Sequence, residues 1–425
     1  MLNKAKVKTH ALLRKSEKYT KTDMVYAARG GFWLVLGYVA TALSSFVLAL
    51  LFARFVPKEI YGNYKYILSL IGLSAVFCLS GLSQGVLQSV ARGFYGTFFE
   101  AIRLSLRWNS VMFVLLLSGG AYYLVNGNDT LGYSLIWASF TFPIIKTLEI
   151  YEPVLSGTRN FRKSTLFRGI VDIGTIVATA IGIFFTDKVL VLIAINLTTQ
   201  VLLNAIFFRK VYSSILHKNK TIEPGTIKFS KHLSLQNILS GAASYLDKII
   251  IFHFLGAAEV AIYIFAQAIP QQIKGFVSLV STIAMPKISQ RSFIEAARMI
   301  PQRFFTGLIV FTPIVLLYIL FAPLIFSVFF PAYQEAVPYT RWIILILLIM
   351  GNISDLVLTT QKKVKEKYVL NTFASISQIV LMLILIHPFK IYGVIWAYLI
   401  SKSLTAILSY VLVRRAASYS PTTNN

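Results

Sequence analysis

Apolar runs of helix-spanning length recur along the whole chain, and polar residues are gathered mainly in the gaps between them. Runs such as 189–197 (VLVLIAINL) and 342–350 (WIILILLIM) show no alternation of apolar and polar positions. A helix needs about 20 residues to cross the hydrocarbon core of a bilayer. Twelve stretches of that order can be placed, at 31–53, 64–84, 106–125, 131–154, 166–185, 189–208, 233–255, 261–284, 304–329, 338–360, 368–386 and 391–413. No water satisfies backbone groups inside a bilayer, so only helices and closed barrels span it. A barrel would show alternating segments of about ten residues. The pattern therefore predicts an all-α integral membrane protein.

The stretches form two blocks of six, separated by a basic bridge from Arg209 to Lys231 in which Glu223-Pro224-Gly225 breaks any helix. The expected division is a basic tail (1–30), a first lobe (31–208), a linker (209–231), a second lobe (232–413) and a short tail (414–425). The blocks echo each other. ARFVPKEIYGNYKY follows the first stretch and FHFLGAAEVAIYIF the seventh; a shift of 199 residues pairs Phe55 with Phe254, Gly62 with Ala261 and Tyr64 with Tyr263. Transporters are commonly built from such repeats, with the substrate site between them. Shared ancestry without transport is the alternative.

Charge orients the helices. The net charge of +25 suggests nucleic acid at first sight, but 31 of the 41 Lys and Arg residues lie in the tails and in every second connection. The other connections hold only Lys58, Lys188, Arg341 and Lys390. Basic connections stay on the cytoplasmic side, so both termini are expected inside. The N-terminal tail either lies on the anionic inner leaflet or serves only as a topology signal. The outer connections are short, which leaves no room for a domain outside the membrane. The composition, 56% hydrophobic and 13% charged, falls well short of the roughly 25% charge of soluble domains. The lone Cys78 allows no disulfide within one chain, and no cleavable signal peptide precedes the first span, which is expected to act as an anchor. The five histidines show no metal-ligand spacing, and there is no P-loop, so no metal, cofactor or ATP hydrolysis is expected.

Ionisable side chains in hydrocarbon cost about 2.5–3.5 kcal/mol each on insertion scales, so each deep one calls for a cavity or a partner. In the eighth stretch Gln267, Gln271, Lys274, Ser278 and Ser281 recur at 4-3-4-3 spacing, on one helix face. The seventh carries Asn237, Ser240, Ser244 and Asp247, with Lys248 adjacent. Such stripes line a cavity or join helices by hydrogen bonds; Lys274 favours the cavity. Lys402 lies in the twelfth stretch with Tyr398, Thr405 and Ser409. In the fourth, Lys146 and Glu149 either neutralise each other or meet substrate. Asp172 lies in the fifth and Asp355 in the tenth. Lys146, Lys248, Lys274 and Lys402 are candidate contacts for a phosphate-bearing substrate, with Asn237, Gln267 and Gln271 facing its polar portion. Asp172, Asp247 and Asp355 are candidate sites for a coupling proton or sodium ion. Asp247 and Lys248 form a structural pair on the other reading. Arg54 and Lys65 sit near the outer ends, where snorkelling accounts for them.

These segments resemble the polysaccharide-transport (Wzx-like) flippases of the MOP superfamily, relatives of the MATE drug exporters and the lipid II flippases. The resemblance covers roughly 28–415. It is carried by LLFARFVPKEIYGNYKYILSLIGLSAVFCLSGLSQGV, GTRNFRKSTLFRGI, SYLDKIIIFHFLGAAEVAIYIFAQAIPQQIKGFVSLVSTIAMPKIS and PAYQEAVPYTRWIILILLIM. The family's acidic-basic pair in the seventh span matches Asp247 and Lys248, and its Ala-Met-Pro-Lys ending of the eighth span matches 284–287. Ala261 stands where the family usually has Gly. The resemblance implies two six-helix lobes around a central cavity that opens alternately to each side. It also implies flipping of an undecaprenyl-pyrophosphate-linked oligosaccharide to the outer face of a bacterial inner membrane, feeding O-antigen, capsule or exopolysaccharide. A polymerase and a chain-length regulator are the partners it implies. The rival readings are a lipid II flippase, a MATE-like drug exporter, whose cavity should be rich in acids and aromatics, and a membrane glycosyltransferase or polymerase, which needs a large outer loop.

Overall fold

In the computed structural model, residues 24–289, 291–361 and 363–418 are described, without the side chains of 24–34, 236, 279–287, 289 and 418. The predicted basic tail thus lies outside the described residues up to position 23, as do 419–425. Ser281 and the Ala-Met-Pro-Lys segment, both on the α10 helix, are described as backbone only.

The described residues form helices and turns, with no strand. The first half comprises α1 (Met24–Phe55), α2 (Lys58–Ala75), α3 (Leu82–Ala91), α4 (Gly96–Val125), α5 (Asp129–Leu148), α6 (Tyr151–Gly157), α7 (Phe161–Phe185) and α8 (Val189–Ile215). The second comprises α9 (Thr226–Leu255), α10 (Ala257–Ser289), α11 (Phe293–Phe329), a 3-10 turn (Pro331–Ala336), α12 (Val337–Ile343), α13 (Ile346–Ile349), α14 (Ser354–Thr360) and α15 (Val364–Ser418). Among the described residues seven helices are long and apolar enough to cross a bilayer, and the pair Pro331–Ile349 and Ser354–Thr360, bent by 50°, makes an eighth when taken as one span. Each of the twelve stretches read from the sequence falls on helix, and the smaller number of uninterrupted spans has physical causes. Three stretches are broken, at α2–α3, at α5–α6 and along α12–α14, and only the last passes as a bent pair. The Gln and Lys residues of α10 leave it too polar to qualify by composition. The helix α15 covers two stretches, because it folds back at Lys390 (φ 50°), just after Pro388.

A break inside a bilayer must have its freed backbone groups met by neighbours. At the α2–α3 break the Gly81 N–H donates to Ser234 Oγ of α9 at 2.9 Å, and Asn237 Nδ2 donates to Ser80 Oγ at 3.3 Å. At the α13–α14 break Asn352 accepts from the Ser354 N–H at 2.9 Å while its Nδ2 donates to the Ala406 carbonyl at 2.9 Å.

Four glycines of α2, the break and α3 lie directly against the second half. A Cβ on Gly62 would sit 1.8 Å from the Ala257 carbonyl oxygen; on Gly72, 2.3 Å from the Tyr245 ring; on Gly81, 2.4 Å from the Ser230 carbonyl oxygen; on Gly85, 2.2 Å from Ser230 Oγ. Beyond this seam the apolar cores differ by depth. Towards the predicted outer ends one core joins both halves, with Phe52, Tyr61 and Tyr64 packed with Phe265, Phe330 and Tyr333. There Lys58 also pairs with Glu335. Towards the predicted inner ends each half has its own core, around Tyr151 and Phe207 in the first and around Leu358 and Leu370 in the second.

The linker is clamped to the first half. The Gly96 N–H donates to the Thr221 carbonyl at 2.9 Å, the Glu223 N–H donates to Thr97 Oγ1 at 3.2 Å, and Asn219 Nδ2 donates to the Gly93 carbonyl at 3.0 Å. The Glu223 carboxylate accepts from Ser89 Oγ at 2.6 Å and pairs with Arg92. The Ser89 hydrogen bond, with the Arg92 contacts, holds the Glu223 carboxyl below the usual carboxylate range. Because its folded-state pKa is lowered, its contribution is full above the ordinary value of about 4.3 and is lost as pH falls through the lowered value.

Gly62→Ala is expected to lower stability by about 1–3 kcal/mol, the usual range for overpacking. Gly169→Ala, inside α7 and with nothing within 4 Å of the added Cβ, should instead raise stability by about 0.5–1 kcal/mol. Thermal unfolding in detergent measures both. In the same assay Glu223→Gln should lower the midpoint at neutral pH and flatten its fall below about pH 4.

Candidate functional site

The turn between α9 and α10 is one residue, Gly256, at φ 98°, a left-handed conformation that favours glycine. It folds the two helices into an antiparallel pair, so the polar stripes of the seventh and eighth stretches face a common space. The two arms of α15 and the broken α12–α13 segment close that space. The result is a cavity of about 370 Å³ lined by Asp247, Lys248, Gln267, Gln271, Lys274 and Lys402, with Tyr263, Tyr398, Asn371, Ser375 and Gln378 among its other walls. Every lining residue comes from the second half of the chain.

Three ammonium groups therefore face one carboxylate. Asp247 is committed locally: Lys248 Nζ donates to its Oδ1 at 2.9 Å and its Oδ2 at 3.1 Å, and the Tyr263 hydroxyl donates to Oδ2 at 3.1 Å. Adjacent helical residues point about 100° apart, but the long lysine side chain folds back across that angle. Lys274 Nζ donates to the Tyr398 hydroxyl at 2.8 Å, and Lys274 and Lys402 approach the Tyr398 ring at 5.5 and 5.7 Å from its centroid. Tyr398 thus holds two lysines close together with no carboxylate between them. A second cavity of about 180 Å³ shares Ser240 and Asn371 with the first and runs past Lys363 and Lys367.

The other sequence candidates lie elsewhere. Lys146 donates to Glu149 at 2.8 Å within the first half. Asp172 lies 3.8 Å from Arg168, which also holds Glu152 at 3.0 Å. Asp355 pairs with Lys367 beside the smaller cavity. Asn237 bonds Ser80 at the α2–α3 break. Lys65 packs over the rings of Tyr61 and Tyr64. Sequence reading passed over Asn371, Ser375 and Gln378, although their 4-3 spacing is that of the eighth stretch; no charged residue marks that stripe. No group of three or more His, Cys, Asp or Glu suited to a metal exists among the described residues.

A family profile described as polysaccharide biosynthesis protein matches residues 27–292, more than half of the chain. No curated protein matches the sequence significantly. Among solved structures, an inward-facing multidrug resistance MATE family transporter of the MOP superfamily aligns with a TM-score of 0.71 at 14% identity, over 91% of this chain and 96% of its own. The lipid II flippase MurJ in an inward closed conformation aligns at 0.63 and 18% identity, over 90% and 87%. A MOP superfamily transporter from Pyrococcus furiosus, described as having a binding pocket of reversed polarity, aligns at 0.63 and 13% identity, over 92% and 95%. At these identities the likeness is one of fold.

Asp247→Ala leaves the Lys248 ammonium without its carboxylate and should cost about 2 kcal/mol of stability. Asp247→Ala combined with Lys248→Ala should recover most of that loss, which a double-mutant cycle on unfolding midpoints detects.

Proposed function

The chain belongs to the polysaccharide biosynthesis protein family, and on that premise we propose that it flips an undecaprenyl-pyrophosphate-linked oligosaccharide from the inner to the outer leaflet of a bacterial plasma membrane. The observation that carries this reading is the gathering of Lys248, Lys274 and Lys402 in one cavity whose lining holds a single, already paired carboxylate. Lysine binds phosphate as a compact point charge. At about 370 Å³ the cavity falls in the ordinary range of ligand sites. It fits a pyrophosphate with its first sugar, and the rest of the oligosaccharide and the polyprenyl tail lie outside it. Gln267, Gln271, Asn371 and Gln378 offer amide groups to sugar hydroxyls. Lys363 and Lys367 line a basic approach from the predicted inner side.

The two halves act as lobes in this reading. They are joined at the predicted outer ends by the shared aromatic core and, apart from the glycine seam, separate towards the inner ends. That arrangement suits an inward-facing stage of alternating access. An inside-negative potential favours outward movement of an anion by about 2.3 kcal/mol per charge per 100 mV, so transport needs no coupling ion on charge grounds. The Asp247–Lys248 pair argues for a structural role at Asp247 before a coupling one. A drug exporter for cationic compounds is disfavoured by the same cavity charge. O-antigen, capsule and exopolysaccharide units all carry the pyrophosphate the lysines would hold.

Lys274→Ala combined with Lys402→Ala is expected to cut translocation at least tenfold while the protein still reaches the membrane. The measurement is accumulation of lipid-linked oligosaccharide at the inner face of cells that depend on the variant. Full export by the double variant would overturn the reading.

A further inference from the structure

A third cavity, also basic, lies far from the first two in the chain, in the first half and its linker. It measures about 570 Å³ and is lined by Phe99, Glu100, Arg103, Arg107, Tyr212 and Lys220, with Leu104, Leu216 and Ile222 beside them. Arg103 and Arg107 are four residues apart on α4 and share one helix face. Lys220 comes from the linker, whose backbone is fixed on both sides by the Asn219–Gly93 and Gly96–Thr221 hydrogen bonds. The approach is close enough that a Cβ on Gly96 would lie 2.1 Å from the Lys220 carbonyl oxygen. The clamp therefore holds a linker cation beside two helix cations.

The charges of this cavity are unspent. Arg92 pairs with Glu223, and Arg168 with Glu152 and Asp172. Among the described residues, by contrast, the guanidinium groups of Arg103 and Arg107 and the Lys220 ammonium have no hydrogen-bonded or ion-paired partner. Glu100 is the only carboxylate in the lining and leaves an excess of positive charge. The residues lie at the end of the bundle expected to face inward, and the exposed Trp108, next to Arg107, is the side chain that anchors at a membrane–water boundary. Positive-inside topology accounts for cations at this depth. It does not account for three unpaired ones in a concave space walled by Phe99, Tyr212 and leucines. Apolar walls with a cationic floor at the interface suit a molecule with an anionic head and an acyl tail.

We propose that this cavity binds the phosphate headgroup of an anionic phospholipid of the inner leaflet. Arg103 and Arg107 grip the phosphate oxygens, as the planar guanidinium does well, and Lys220 closes from the linker. The aromatic and aliphatic wall takes the glycerol and the start of the acyl chains. A lipid held in this way ties α4 to the linker between the halves and stabilises the clamp. The site is separate from the lysine cavity of the second half and does not depend on what that cavity carries.

The test is thermal unfolding of the purified full chain in nanodiscs of phosphatidylcholine alone and with phosphatidylglycerol added. The wild type should unfold at a higher temperature with phosphatidylglycerol. The increment should disappear in Arg103→Ala/Arg107→Ala, shrink in Lys220→Ala, and persist in Lys188→Ala, a control cation at the opposite end. Loss of each arginine should weaken phosphatidylglycerol binding about fivefold. Arg103→Lys/Arg107→Lys, which keeps the charge, should retain part of the increment and guards against loss through misfolding. On the wild type alone, the increment should fall as salt is raised. An increment unchanged in the alanine pair would overturn the proposal. An equal increment from inorganic phosphate in phosphatidylcholine discs would overturn the lipid as its source.

Discussion

The close approach of α2 and α3 to α9 and α10 is the contact on which the rest of this molecule depends. Between helices in lipid there is no hydrophobic driving force, because the acyl chains are as apolar as leucine. Association rests on close packing and on hydrogen bonds. Four glycines leave room for backbone carbonyls, a serine hydroxyl and a tyrosine ring of the other half. At the same seam the α2–α3 break is completed by Ser234 and Asn237 of α9. The seam thus settles two problems together, the joining of the halves and the unmet backbone of an interrupted helix. It also consumes one face of α9, so the Asp247–Lys248 face is left to the cavity.

The two halves repeat in helix order but treat charge differently. Deep charges of the first half are met by opposite charges, in the Lys146–Glu149 pair and the Glu152–Arg168–Asp172 cluster. The second half gathers Lys248, Lys274 and Lys402 around one carboxylate and one tyrosine ring. A half-buried cation without a counter-charge costs stability, and the lining keeps two of them, Lys274 and Lys402, beside the paired Lys248, which fits the proposed anionic cargo. The asymmetry leaves the lysine cavity to the half after the linker, whereas the deep charges of the first half are spent on one another.

Much of this was legible in the sequence. The apolar runs gave the class and the positions of the helices, because a bilayer demands length and apolarity in a form that composition displays directly. The 4-3 spacing of Gln267, Gln271 and Lys274 predicted a wet helix face, and those residues do line the cavity. The stripe of Asn371, Ser375 and Gln378 obeys the same rule and went unread for want of a charge. Spacing alone offers Asn237 as a substrate contact; the structure adds that its amide bonds Ser80 at the α2–α3 break.

Periodicity fixes which side of a helix a residue occupies, and charge bias fixes which end of the helix stays in the cytoplasm. Both are local properties, so the sequence by itself determined the class, the expected orientation and the list of deep charges. Which charges meet is a matter of distance between segments far apart in the chain. Only the tertiary structure separated Lys146, beside its own Glu149, from Lys274 and Lys402, drawn together at Tyr398. The same is true of Lys220, a linker residue that becomes part of a cavity because hydrogen bonds pin its neighbours to the start of α4.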